Sequence, residues 1–110
     1  MPQSLAKVYI RLVFSTKNRE PIIADEWREE LFHVLGGIAN NVGCQSLIVG
    51  GVADHVHMLF ALGRTITIAD AAGRIKSASS GWVNEVKKPI SHFNWQGGYA
   101  VFSVDRKSVV

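Results

Sequence analysis

The sequence is short of several things, and each shortage excludes something. Among its 110 residues there is one cysteine, Cys44, so no internal disulfide forms and no cysteine cluster offers a zinc site. No apolar run approaches the ~20 residues of a membrane-spanning helix. No apolar block stands ahead of a small-residue cleavage site, so no signal peptide is read. No membrane partner is expected, and the expected compartment is the reducing cytoplasm. Internal repeats, low-complexity stretches and long linkers are missing as well. What is present is 47% hydrophobic and too apolar for a disordered tail. The length suits one domain, since domains centre on roughly 100–150 residues.

Charge says less. The net charge is +3 and the pI is near 9.3, a mild tilt toward polyanionic partners. Lys17 and Arg19 lie together, as do Arg64, Arg74 and Lys76, then Lys87 and Lys88, then Arg106 and Lys107. Acids concentrate between Glu20 and Glu30. On charge alone this is ordinary solvated surface.

Hydrophobic periodicity predicts the elements. From Lys7 to Ser15 the residues alternate, with Val8, Ile10, Leu12 and Phe14 on one side, which is the period of a strand. From Asp25 the period lengthens. Trp27, Leu31, Val34, Leu35, Ile38 and Val42 form a helical stripe, acids crowd its start, and Gly43 stops it. Ser46 to Val52 and His55 to Leu62 read as strands. A second helix begins near Thr67, with Asp70 completing a capping pattern. Its stripe is Ile68, Ala71, Ala72, Ile75, Ala78, Ser79, Trp82 and Val83. Phe93 to Val104 reads as a strand bent at Gly97 and Gly98. The order β-α-β-β-α-β predicts an α+β, ferredoxin-like fold: a four-stranded, mostly antiparallel sheet with two helices on one face. That fold hosts many functions and decides none.

The local signal for chemistry is Asp54-His55-Val56-His57-Met58-Leu59-Phe60. Strand residues two apart share a face, so His55 and His57 project together. Val56, Met58, Phe60 and Leu62 project oppositely and must pack on the helices. Two imidazoles on one face can share a divalent metal. The plain alternative is a pair of half-exposed, hydrogen-bonded histidines. Leu59 and Ala61 share the histidine face, which predicts partial cover by a helix or a second subunit. Tyr9 and Arg11 of the first strand are expected beside the pair, and an arginine there could grip a phosphate. His33 and His92 have no spacing partner and read as structural. Cys44 reads as a small buried filler. The stretch Trp95-Gln96-Gly97-Gly98-Tyr99 is either a platform for stacked bases or a bulged core strand.

Three segments together carry a family resemblance: Leu12 to Pro21, Asp54 to Leu59, and Trp95 to Tyr99 with Phe102-Ser103-Val104. In that order they resemble the single-tyrosine HUH transposases of small bacterial insertion sequences and their relatives associated with repeated extragenic palindromes. The resemblance implies metal-assisted cleavage and rejoining of single-stranded DNA through a 5′-phosphotyrosine. It implies a divalent cofactor, Mg2+ or Mn2+, with His55 and His57 as its ligands. It also implies a homodimer that recognises DNA hairpins. The family's nucleophilic tyrosine and third ligand lie on a helix beyond the Phe-Ser-Val strand. The only tyrosines here are Tyr9 and Tyr99, and neither matches that position.

The expectation is therefore a single HUH domain over residues 1–110, short of its C-terminal tyrosine helix and unable to cleave DNA by itself. The alternative function is a non-catalytic module that binds DNA or RNA hairpins. In either reading Arg11, Lys17, Arg19, Arg64, Arg74 and Lys76 are the candidate phosphate contacts. Without the helix, Leu59, Ala61 and Val13 should form an exposed apolar patch that favours dimerisation.

Overall fold

The computed structural model describes residues 7–104, so the basic pair Arg106 and Lys107 and the tail 105–110 lie outside the described residues. Strand β1 (Tyr9–Ser15) turns Ile10, Leu12 and Phe14 into the core, as its alternation requires. Val8 precedes the strand and is exposed, so the strand starts later than the pattern predicts. Helix α1 (Asp25–Asn41) buries Leu31, Leu35 and Ala39 at i, i+4 spacing. Gly43 ends the turn after it in the left-handed region, with φ +93°.

Strands β2 (Gln45–Gly51) and β3 (His55–Ala61) form a hairpin, with a register shift between Ser46 and Ile48. Helix α2 (Ile68–Trp82) starts as predicted: the Asp70 N–H donates to Thr67 Oγ1 at 3.0 Å. It buries Ala71, Ala72, Ile75 and Ser79. Ala78, expected in the stripe, is exposed because it falls off the i, i+4 row that faces the sheet.

The predicted last strand is broken. Trp95 makes a lone antiparallel bridge with Thr16, residues 96–99 loop out, and β4 is Ala100–Val104. Gly98, at φ +83°, permits the turn. The carbonyls of Gln96 and Gly98 accept hydrogen bonds from the Lys76 ammonium.

The sheet order is β2-β3-β1-β4 and every pairing is antiparallel. With two helices this is the expected α+β, ferredoxin-like arrangement. The core lies between the helices and one sheet face, where Leu12, Val56, Met58, Phe60, Leu31, Leu35 and Ile75 are fully buried. Among the described residues no helix is long and apolar enough to cross a membrane.

Candidate functional site

The pleat of β3 sorts its side chains. Val56, Met58 and Phe60 are fully buried, so His55 and His57 emerge on the opposite, helix-free face. Across the ladder His55 pairs with Ser15, and His57 lies between Val13 of β1 and Gly50 of β2. His57 is exposed and His55 half-buried. Both rings are on the open side of the sheet, as the spacing requires.

Each imidazole has its own support. His55 Nδ1 lies 2.9 Å from Asp54 Oδ1. An ionised carboxylate can only accept, so Nδ1–H donates, and in the neutral ring Nε2 then carries the free lone pair. The hydrogen bond from His55 holds the Asp54 carboxyl below its ordinary range, against partial desolvation and with help from the Arg19 charge. Arg19 Nε reaches Asp54 Oδ2 at 3.4 Å, so one carboxylate spans both groups. The Asp54 carbonyl is fixed in turn by the N–H of buried Thr16 at 2.9 Å, while the Thr16 hydroxyl donates to the Glu20 carbonyl at 2.7 Å.

His57 is supported by space. A Cβ on Gly50 would come within 2.8 Å of His57 Nε2 and 3.1 Å of Cε1. The ring therefore occupies the room that the missing side chain leaves. A glycine inside a strand signals close approach, and the Gly50-Gly51 pair was that signal in the sequence. The carboxylate next to His55 was equally visible there, but its second bond to Arg19 depends on the fold.

Chemically the donor set fits part of a divalent-metal site. It offers two imidazole nitrogens, one oriented by a carboxylate. Among the described residues no group of three His, Cys, Asp or Glu side chains is placed to hold a metal. Mg2+ and Mn2+ favour oxygen ligands, so phosphate oxygens or water must complete such a site.

The six predicted basic contacts fall into separate places. Arg11 lies on the histidine face and lines a hollow of about 290 Å³ with Val13, His55 and His57. Lys17 and Arg19 occupy the turn after β1, beside Asp54. Arg64 follows the far end of β3, a strand length from His55. Arg74 belongs to the helix layer, beside Ile38 and Val42. Lys76 is engaged with the two loop carbonyls. Tyr9 pairs with Ala61, also remote from His55.

One open alternative closes here and one expectation changes. Trp95 is not a base platform: it is 8% exposed, meets Phe14 and Phe93 edge-on, and donates Nε1–H to Ser79 Oγ at 2.9 Å. The apolar patch is smaller than predicted, because Leu59 and Ala61 are only 7% and 5% exposed. Ile48 and Phe102 are the large exposed apolar groups on this face, carried there by their pairing with Leu59 and Arg11.

The fold is similar to the crystal structure of a protein from Deinococcus radiodurans R1 described as a transposase, with TM-score 0.82 and 23% identity, covering 94% of this chain and 83% of that one. It is also similar to a REP-associated tyrosine transposase solved with a REP hairpin, with TM-score 0.66 and 11% identity over 90% of this chain, which spans 57% of that protein's length. At these identities the likeness concerns the fold. No curated protein sequence matches the chain. The sequence model described as "Transposase IS200 like" matches residues 4–110, and the chain belongs to that transposase family.

Proposed function

We propose that this domain binds single-stranded or hairpin DNA and holds one phosphate of it at a divalent metal on His55 and His57. The observation that carries the reading is the pair of imidazoles on the open sheet face, with a bare Nε2 on His55 set by Asp54. When bound, a divalent ion, Mg2+ or Mn2+, supplies Lewis-acid withdrawal of charge from a phosphate oxygen. The protein's own residues do the rest. Asp54 fixes the tautomer of His55, Gly50 leaves room for the ring of His57, and Arg11 and Arg19 flank the pair as phosphate contacts. The REP-hairpin complex of a structural relative supports hairpin DNA as the ligand class.

In this reading, strand cleavage through a 5′-phosphotyrosine is the chemistry of the wider family, and neither tyrosine of this sequence supplies the nucleophile. Tyr9 is on β1 opposite Ala61, at the end of the ladder away from His55, and Tyr99 is on the loop ahead of β4. The reading includes a homodimer, which exposed Ile48 and Phe102 on the histidine face favour.

The test combines two titrations. Mn2+ added to isotope-labelled protein should broaden the ring signals of His55 and His57 before those of His33 and His92. Hairpin DNA should bind with an affinity that falls steeply with salt. Salt-dependent binding with no metal response would leave the non-catalytic hairpin module. A metal response without DNA binding would overturn the reading. Light scattering that returns a monomer at high concentration would remove the homodimer from it.

A further inference from the structure

A cleft between the Lys17–Arg19 turn and the 96–99 loop shares His55 and Arg19 with the reading above, but its 96–99 wall has no role there. Its volume is about 410 Å³, and Ser15, Arg19, His55, Gln96, Gly98 and Tyr99 are among its walls. That is near the lower end of the roughly 300–1,000 Å³ of small-ligand sites, room for one nucleotide and not for a duplex.

The cleft is built rather than accidental. Its loop contains two glycines and would sample many shapes if free. Instead it is tied from both sides. Lys17 N–H donates to the Asn94 carbonyl at 3.0 Å, and Gln96 N–H to the Ser15 carbonyl at 2.8 Å. The Asn18 N–H donates to Gln96 Oε1 at 2.9 Å. From the helix layer, Lys76 Nζ holds the carbonyls of Gln96 and Gly98 at 2.8 and 2.7 Å. A site held in shape before binding loses less entropy when its ligand arrives.

The walls offer three different chemistries. Tyr99 is 40% exposed, an aromatic surface that packing has not consumed. Gly97 and Gly98, which also line the cleft, put no side chain into it beside the ring. Arg19 is well exposed, and its bond to Asp54 uses only Nε. Aromatic faces with cations beside them are how proteins hold unpaired nucleotides without reading their sequence. Arg19 and the metal ligand His55 meet at Asp54, which ties this cleft to the proposed phosphate position.

We propose that this cleft seats one unpaired nucleotide next to the phosphate held at His55, with its base against Tyr99 and its phosphate on Arg19. The inference rests on the DNA-binding reading above and adds where the single strand lies.

The test uses a labelled DNA hairpin in three forms: blunt, with oligothymidylate tails on both ends, and with abasic tails of equal length. Abasic tails keep every phosphate and lack only the bases. Fluorescence anisotropy should show the thymidine-tailed form binding about tenfold more tightly than the abasic form, the scale of one stacked base. Tyr99→Ala should abolish that ratio, and Tyr99→Phe should preserve it. Arg19→Ala should weaken both tailed forms and leave their ratio. Equal affinity for the thymidine and abasic tails would overturn the nucleotide seat while leaving hairpin binding intact. Failure of the wild-type protein to bind any of the three forms would overturn the underlying DNA reading as well.

Discussion

Gly50 faces His57 directly across the β2–β3 ladder, and the imidazole occupies the space where a side chain on Gly50 would stand, 2.8 Å from its Nε2. Gly50→Ala must therefore displace the ring. An imidazole is the free end of a side chain and can swing aside, so the cost falls on ring position more than on stability. The expected result is a Mn2+ affinity lower by about tenfold or more, as for other groups that orient metal-binding imidazoles, with little change in thermal midpoint. Calorimetric Mn2+ titration beside a melting curve checks it; unchanged metal affinity would show that the ring needs no cradle.

Asp54→Asn tests the other support. The amide can accept from His55 Nδ1–H, yet it can also donate, so the tautomer is no longer forced. Nitrogen shifts of the His55 ring should show mixed tautomers in the variant and a single Nδ1–H form in the parent. Arg19 should lose its ion pair as well. A variant spectrum identical to that of the parent would mean that something other than the carboxylate sets the ring.

The sequence disclosed the skeleton of this site more readily than its supports. Alternation along β1 and β3 is a local property, so the shared face of His55 and His57 was legible from spacing alone. The same holds for Thr67 and Asp70, three residues apart at a helix start. The Lys76 strap was not legible, because its carbonyls are twenty or more positions away and meet it only once α2 packs beside the 96–98 loop. The break in the last strand was half legible: Gly97 and Gly98 marked the place, but periodicity does not distinguish a bulge from a loop. The burial of Leu59 and Ala61 is not legible, because strand alternation gives the face of a residue and not what covers it.

Trp95 and Tyr99 stand four residues apart in one motif and should respond oppositely. Trp95 is packed edge-on against Phe14 at 4.6 Å and Phe93 at 4.8 Å between ring centres. Its truncation to Ala should cost about 3–5 kcal/mol, a large share of a small domain's stability. Tyr99→Ala, at a partly exposed position, should change stability by less than about 0.5 kcal/mol. Urea unfolding of both variants checks the contrast. A Tyr99→Ala variant as unstable as Trp95→Ala would make the loop a piece of the core.

Lys76 carries a pH dependence of unusual sign. Burial holds its ammonium below the ordinary lysine value of 10.5. The folded chain then releases this proton before the unfolded chain does. Between the folded pKa and 10.5 the unfolded state binds more protons, so this residue adds stability as pH rises. The neutral amine retains two N–H groups, enough for both loop carbonyls. Lys76→Met, which removes both bonds, should cost about 1–2 kcal/mol near neutral pH. The gap between parent and variant should widen as pH climbs toward the ordinary lysine range. Paired urea titrations across that range measure it, and a narrowing gap would contradict the assignment.

The basic residues divide by position, and salt dependence should divide them the same way. Arg11 and Arg19 lie beside the histidines, whereas Arg74 lies with the helices on the other side of the sheet. Removing one cation that neutralises a phosphate makes the slope of log affinity against log salt shallower by about 0.7 for a single strand and 0.9 for a duplex. Arg11→Ala and Arg19→Ala should each reduce the slope by about that amount with hairpin DNA. Arg74→Ala should leave both slope and affinity unchanged. If Arg74→Ala proved as damaging as the other two, the DNA would have to reach the helical layer, and the open sheet face would no longer account for binding by itself.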